Sequence, residues 1–287
     1  MTNTSNNDYE LLDSGNENKL ERFGKYTLVR PCAAAVWKPS LPTAAWDEAT
    51  ARFGRDGGNT WTIRQPLPAS WNATISGLIF RLSGTPFGHV GVFPEQQQCW
   101  GFIDKTLRQV KRGKRLSVLN LFAYSGGSTL AAARAGAEVC HLDASKGMVA
   151  RARENAALNG LADAPIRWIV DDVTKFLNRE LRRGIKYDAI ILDPPSFGRG
   201  NSGEIFKIEA HLASTLDLCV KLLAANPLFV LLSCHTPAFT PTVLAHILRQ
   251  GMNGFNGNIE SGEMTLTGKS TVFAIPNGTY ASWKTRD

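Results

Sequence analysis

The run Leu116–Ser145, LSVLNLFAYSGGSTLAAARAGAEVCHLDAS, constrains the fold of this chain more than any other stretch. An apolar strand pattern breaks at Tyr124-Ser125-Gly126-Gly127, continues as an Ala-rich helical segment, and returns as a second apolar strand pattern ending in Asp143. Strand, glycine corner, helix, strand is a βαβ unit, and such units build parallel sheets covered by helices. The alternation continues through IRWIV, VTKFLNRELRRG, YDAIILD, IFKIEAHLASTLDLCVKLLAAN, LFVLLSC and TPTVLAHILRQG. The fold class is therefore α/β, a Rossmann-like, doubly wound and mostly parallel sheet of seven strands. NIESGEMTLTG and STVFAIPN are expected to close one edge as an antiparallel pair.

A doubly wound sheet binds ligands beyond the carboxyl ends of its strands. Gly126 and Gly127 permit a tight turn that brings backbone close to a ligand, with the next helix's N–H groups facing it. Asp143, at the end of the second strand, stands where such folds hydrogen-bond the two hydroxyls of a ribose. The Gly-x-Gly-x-x-Gly spacing that admits a pyrophosphate is absent, so the corner suits an adenosine cofactor without bridging phosphates, and S-adenosylmethionine is the candidate. IVDDV places Asp171 and Asp172 after the third strand, either as an adenine partner or as a helix cap. In IILDPPSFGRG, Asp193 ends a buried strand and Pro194-Pro195 stiffen the exit, since each proline fixes its own φ and restricts its predecessor.

The remaining chain divides by texture. Residues 1–19, polar and without apolar periodicity, read as a disordered tail. Residues 20–95 read as a small α+β, β-rich domain with short strands KYTLVR, TWTIRQ and LIFRLS around one helix, TAAWDEATARF; residues 96–287 form the Rossmann-like domain. Trp37, Trp46, Trp61 and Trp71 fall in the small domain, as core aromatics or as a stacking platform for bases. A net charge of +7 and a pI of about 9.3 favour a polyanionic partner such as RNA. The cationic clusters Lys105–Arg115 and Arg179–Lys186 read first as solvated faces. Five scattered cysteines without a CxxC pair point to a reducing compartment, and no metal is called for. Neither a secretory signal nor a membrane span is read, so a cytoplasmic protein is expected.

With NLFAYSGG, HLDAS, DDV and DPPSF in order at one-strand intervals, the segment from Gly91 to Thr240 resembles class I S-adenosylmethionine-dependent methyltransferases. More narrowly, it is similar to the family of bacterial large-subunit ribosomal RNA cytosine-C5 methyltransferases, without that family's N-terminal PUA domain. The resemblance extends to GHVGVFPEQQQCW and implies these roles: Gln96, Tyr124, Ser125 and Gly126 beside the methionine moiety, Phe122 among the cofactor-binding residues, Asp143 at the ribose, Asp172 at the adenine, and Asp193 at the methyl-transfer face. It also implies Cys234, in FVLLSCHTP, as the thiolate that adds to C6 of cytosine, with Asp193 hydrogen-bonding N3. Pro194, Pro195, Phe197 and Arg199 would meet the substrate, the FGRGNSGE segment closing over it. From the residues alone, Cys234 is equally a small buried side chain finishing a strand. Two other functions remain open: an N-methyltransferase acting on a nucleobase amino group or protein amide, and a cofactor-binding module without catalysis.

Overall fold

The computed structural model describes residues 7–54, 58–110, 113–200 and 203–286. The chain forms two compact units, Met1–Gln97 with Thr265–Asn277, and Gln98–Met264 with Gly278–Asp287.

In the first unit, β1 (Tyr9–Gly15), β2 (Asn18–Phe23), β3 (Tyr26–Pro31), then, after the short helix α1 (Thr43–Asp47), β4 (Ala51–Gly54) and β5 (Thr60–Ile63) make a five-stranded sheet in chain order. Only β3 and β4 run parallel in it. A hairpin of β6 (Trp71–Ile75) and β7 (Leu78–Leu82) follows. Two expectations are corrected here. The tail expected over 1–19 is ordered sheet from Tyr9 onward, while residues 1–6 lie outside the described residues. Tyr9, Leu11 and Asp13 are buried on β1. The acid in the third of these alternating slots is satisfied by the amides of Ser40 (3.2 Å) and Leu41 (2.8 Å) and by Trp46 Nε1 (3.1 Å). The helix expected through Phe53 stops at Asp47, because Thr50 exchanges amide-to-hydroxyl bonds with Thr27 and Ala51 and Phe53 alternate into the sheet core. Trp46 and Trp71 are buried, and Trp37 and Trp61 donate their indole N–H to Ser14 and Thr85, as core aromatics do.

The second unit carries α2 (Gln97–Gln109), β8 (Ser117–Leu121), α3 (Gly127–Arg134), β9 (Glu138–Asp143), α4 (Lys146–Leu158), β10 (Ile166–Val170), α5 (Val173–Arg182), β11 (Ala189–Leu192), β12 (Phe197–Arg199), β13 (Ile205–Lys207), α6 (Ile208–Lys221), β14 (Phe229–Cys234), α7 (Pro241–Gly251), β15 (Gly257–Leu266) and β16 (Ile275–Thr285). Its sheet has the order β10-β9-β8-β11-β14-β16-β15. The first five strands are parallel and β16 runs antiparallel to β14. The last strand begins at Ile275, inside the expected STVFAIPN, and runs on to Thr285, so the strand lies mostly C-terminal to the expected one.

β11 and β14 are buried at every position, as central strands covered on both faces must be. α5 shows how a helix covers such a face. Val173, Phe176, Leu177 and Glu180 recur at helical spacing and are its buried residues. Full burial of Phe176 alone contributes about 1.5–3 kcal/mol. The winding direction reverses between β8 and β11, which opens a crevice beyond their carboxyl ends. Both basic clusters are laced with ion pairs: Arg108 with Asp104, Lys114 with Asp188, Arg179 with Asp171, and Arg183 with Glu180. Lys111 and Arg112 of the first cluster lie outside the described residues.

Candidate active site

Past Leu121 the backbone turns sharply. Phe122 (φ +55°), Tyr124 (φ +48°) and Gly126 (φ +92°) all occupy the left-handed region, which costs side-chain-bearing residues about 1 kcal/mol or more each. The strain is held by partners. Ala123 N–H donates to Leu142 O (3.0 Å), Tyr124 N–H to Asp143 Oδ2 (2.9 Å) and Gly126 N–H to Ala123 O (3.0 Å). Ser145 N–H donates to Asp143 Oδ1 (2.8 Å), so both oxygens of the carboxylate are pinned by backbone. Burial nonetheless holds the Asp143 carboxyl above its ordinary value, against the pull of these two donors.

The two glycines have different reasons. Gly126 adopts a conformation suited to glycine, and a Cβ there would lie 3.1 Å from Ala152 Cβ. Gly127 is needed by packing, since its Cβ would lie 2.5 Å from the Trp100 ring.

The corner fits an adenosyl cofactor. Helix α3 begins at Gly126 without a side-chain cap, whereas α4, α5 and α7 are capped by Ser145, Asp172 and Thr240. Its first-turn N–H groups therefore face the crevice uncapped by side chains. Each Asp143 oxygen retains lone-pair capacity beyond its backbone bond, the chemistry a vicinal ribose diol requires.

The other expected residues separate. Asp172 caps α5, accepting from Lys175 N–H (2.9 Å), and Asp171 binds Arg179 (2.7 Å). Both acids thus have structural work, and the capping alternative for Asp172 is observed. Gln96 belongs to the first unit, buried in the turn Pro94–Gln96.

At the ends of β11 and β14, Asp193, Ser233, Cys234 and His235 come together. Ser233 Oγ donates to Asp193 Oδ1 (2.7 Å), and His235 Nδ1 stands 3.8 Å from the same oxygen. Asp193 N–H reaches Leu121 O (3.4 Å), tying this face to the strand that feeds the cofactor corner. Ser196 and Thr236 join the two strand exits through their hydroxyls (2.7 Å).

Cys234 is 1% exposed, and its Sγ accepts the Thr236 N–H at 3.3 Å. Burial pushes its thiol pKa up and the nearby Asp193 charge adds to this, while the Thr236 hydrogen bonds oppose it. In the resting protein Cys234 is a thiol. Of the FGRGNSGE segment expected to close over the substrate, Phe197–Arg199 form β12, paired with β13 just beyond the segment and with Phe197 and Arg199 exposed, while Asn201 and Ser202 lie outside the described residues.

Asn155 was not legible as a site residue. It is fully buried on α4 and donates Nδ2 to Ser125 O (2.9 Å), clamping the corner from behind. Also missed was a buried chain in which Asn120 donates to Thr129 Oγ1 (2.9 Å), itself 2.9 Å from His141 Nδ1. Burial lowers the His141 pKa to about 3, so the ring is neutral and ties β8, α3 and β9 together. An Asn on the inward face of an amphipathic helix was the available signal for Asn155.

Among the described residues no group of His, Cys, Asp or Glu could hold a metal ion, and no helix is long and apolar enough to cross a membrane. Residues 17–248 match the family described as S-adenosylmethionine-dependent methyltransferase. A SAM-dependent methyltransferase from Agrobacterium tumefaciens is 39% identical, with a TM-score of 0.93 over 99% of this chain and 92% of that one. Ribosomal RNA large subunit methyltransferase I of Aeromonas hydrophila is 36% identical over 123 residues, 42% of this chain and 30% of that protein. Ribosomal RNA large subunit methyltransferase K/L of a Shewanella strain is 31% identical over 156 residues, 53% of this chain and 21% of that protein. The chain thus matches less than a third of the length of these two relatives. With a Rossmann-like sheet, an uncapped helix start at its first corner and a carboxylate at the second strand end, the chain belongs to the S-adenosylmethionine-dependent methyltransferases and is an enzyme that uses this cofactor.

Proposed function

We propose that this enzyme methylates RNA, with ribosomal RNA as the substrate, at C5 of cytosine. The observation that carries the reading is the pairing of Asp193 and Cys234 on neighbouring strand ends. β11 and β14 run in register through Leu192 and Leu232, and Ser233 bridges to the acid. The two ribosomal RNA large subunit methyltransferases among its relatives support RNA as the substrate.

C5 of cytosine is not nucleophilic until a nucleophile adds at C6. In this reading Cys234 first loses its proton to solvent; as the thiolate bonds to C6, N3 takes a proton from water and donates it as a hydrogen bond to Asp193, which leaves C5 an enamine carbon. When bound, S-adenosylmethionine supplies an electrophilic methyl group to that carbon. His235, beside Asp193, then removes the C5 proton, N3 gives up its own, and the C6–S bond breaks to restore the ring and the cysteine. Asp143 and the Tyr124–Gly126 corner hold the cofactor throughout; Asp172 supports the adenine end through the cap it makes on α5. Gln96 is assigned to the methionine end by resemblance. A base within a duplex must be extruded to reach Asp193.

One observation favours a second reading. The burial and raised pKa of Cys234 suit a structural thiol, and Asp193 with Pro194-Pro195 would then serve transfer to a nucleobase amino group. Tritium release separates the two. Ribosomal RNA from cells lacking the gene, labelled at C5 of cytosine, is expected to lose tritium on methylation, and Cys234→Ala to abolish the release. Methylation without release, or full turnover by Cys234→Ala, overturns the C5 chemistry.

A further inference from the structure

The ladder of β12 and β13 has two unlike faces. Register pairs Phe197 with Lys207, Gly198 with Phe206, and Arg199 with Ile205. Side chains alternate across a strand, so Gly198 and Phe206 share one face and the other four share the opposite one. The first face is packed inward. Phe206 is 8% exposed and its ring lies 4.9 Å from that of Phe122, the left-handed residue of the cofactor corner. A Cβ at Gly198 would stand 3.4 Å from Pro195 and 3.8 Å from Phe206. The second face is open: Phe197 and Ile205 are each 50% exposed and Arg199 and Lys207 are exposed with them.

A ladder of three residues per strand has little stability of its own. This one is anchored at both ends. Ile208 N–H donates to Ser196 O (3.2 Å), the Ser196 hydroxyl meets Thr236, and Gly200 N–H donates to Glu204 O (2.8 Å). Glu204 also pairs with Lys175 on α5. Two large apolar side chains are thus held out in water, which is costly for a surface with no partner. The cations alternate diagonally with them, and the Arg199 guanidinium lies 5.8 Å from the Phe197 ring centroid. Flat apolar surface interleaved with cations is the chemistry of single-stranded nucleic acid binding, where bases stack on rings and phosphates pair with Arg and Lys.

We infer that the outer face of the β12–β13 ladder is a docking surface for single-stranded RNA next to the target nucleotide, with Phe197 and Ile205 receiving a flanking base and Arg199 and Lys207 its phosphates. This rests on the proposed RNA substrate. The ladder follows Asp193 by only the diproline exit, so a nucleotide held on it adjoins the one at the transfer face. Phe206 against Phe122 ties the docking surface to the cofactor corner from its other side.

The test uses the full chain, a fluorescent single-stranded oligoribonucleotide, the same strand in a duplex, and ribosomal RNA from cells lacking the gene as methyl acceptor. Losing one stacked base typically weakens binding by about tenfold, and that loss is expected of Phe197→Ala/Ile205→Ala for the single strand. Arg199→Gln/Lys207→Gln is expected to lower the slope of log affinity against log salt by roughly 1.4, the share of two phosphate contacts on a single strand. KM for ribosomal RNA rises in both, while the affinity for S-adenosylmethionine measured by calorimetry shows that each variant is folded. Wild-type methylation of RNA with both variants unchanged in affinity, salt slope and KM overturns the docking surface and leaves the RNA reading standing. Loss of RNA binding and methylation in the wild type itself overturns both.

Discussion

At the corner between β8 and β9 the polar partners are mostly backbone groups, whereas at the paired ends of β11 and β14 they are mostly side chains. Asp143 is fixed by the amides of Tyr124 and Ser145, and the turn it holds is strained in a way only surrounding structure can maintain. Asp193 is reached by Ser233 Oγ, with His235 3.8 Å away, and Cys234 rests as a buried thiol. The corner is organised without a ligand, and in the proposed chemistry the transfer face must still change the state of its sulfur. On the proposed reading, an enzyme built this way loads cofactor onto a rigid seat and leaves the reacting groups to respond to the base.

The sharpest way to break that comparison is Asp143→Ala. Two hydrogen bonds to a charged group, at about 1.5–3 kcal/mol each, correspond to a loss of roughly 10²–10⁴-fold in S-adenosylmethionine affinity by calorimetry. Asp143→Asn keeps an acceptor without the charge and is expected to fall between the two. Affinity unchanged in Asp143→Ala would refute the ribose assignment.

The transfer face predicts a dependence on alkali. Burial, the largest cause, holds the Cys234 thiol above its ordinary value, so thiolate keeps forming as pH rises. Single-turnover transfer to RNA at saturating cofactor is expected to climb by up to about tenfold per pH unit between about pH 7 and about pH 9, since an ordinary cysteine titrates near 8.5. A flat profile over that range would favour transfer to an amino group.

How much of this was readable follows from where the contacts lie. The βαβ alternation, the Gly126 corner and the acid ending β9 are local patterns, and the sheet they imply is the one observed. β1 was hidden because Asp13 occupies an inward slot, and its partners Ser40, Leu41 and Trp46 are remote in sequence. The packing need at Gly127 was not readable because nothing local announces the Trp100 ring. β12 passed as a loop and β13 as the start of the helix that follows it, because three-residue strands carry too little alternation to register, and the anchor at Ser196–Thr236 joins two strand exits.

Gly126→Ala sharpens the comparison from the side of the corner. At φ +92° an added methyl costs on the order of 1–2 kcal/mol, and it would stand 3.1 Å from Ala152 Cβ. Cofactor affinity is expected to fall by about tenfold, as 1.4 kcal/mol does in any equilibrium, while the pH profile of transfer at saturating cofactor keeps its shape. Gly127→Ala should instead lower thermal stability, because the group it strikes is the Trp100 ring.

The smallest effect is an acid limb in cofactor binding. In the proposed assignment the ionised Asp143 carboxylate accepts the ribose hydroxyls, and protonation removes both its charge and one acceptor. Affinity is therefore full above its pKa and falls as pH drops through it. Burial, which outweighs the Ser145 and Tyr124 amides, has raised that pKa, so the fall begins at a higher pH than for an ordinary aspartate near 3.9. A progressive weakening as pH falls below neutrality is expected by calorimetry, beginning at a higher pH than an ordinary aspartate would give, and Asp143→Asn should erase it. Because this limb belongs to the corner alone, Cys234→Ala must keep it unchanged. If that variant shifts it, the corner and the transfer face are electrostatically one site, and the division drawn between backbone-built and side-chain-built regions fails.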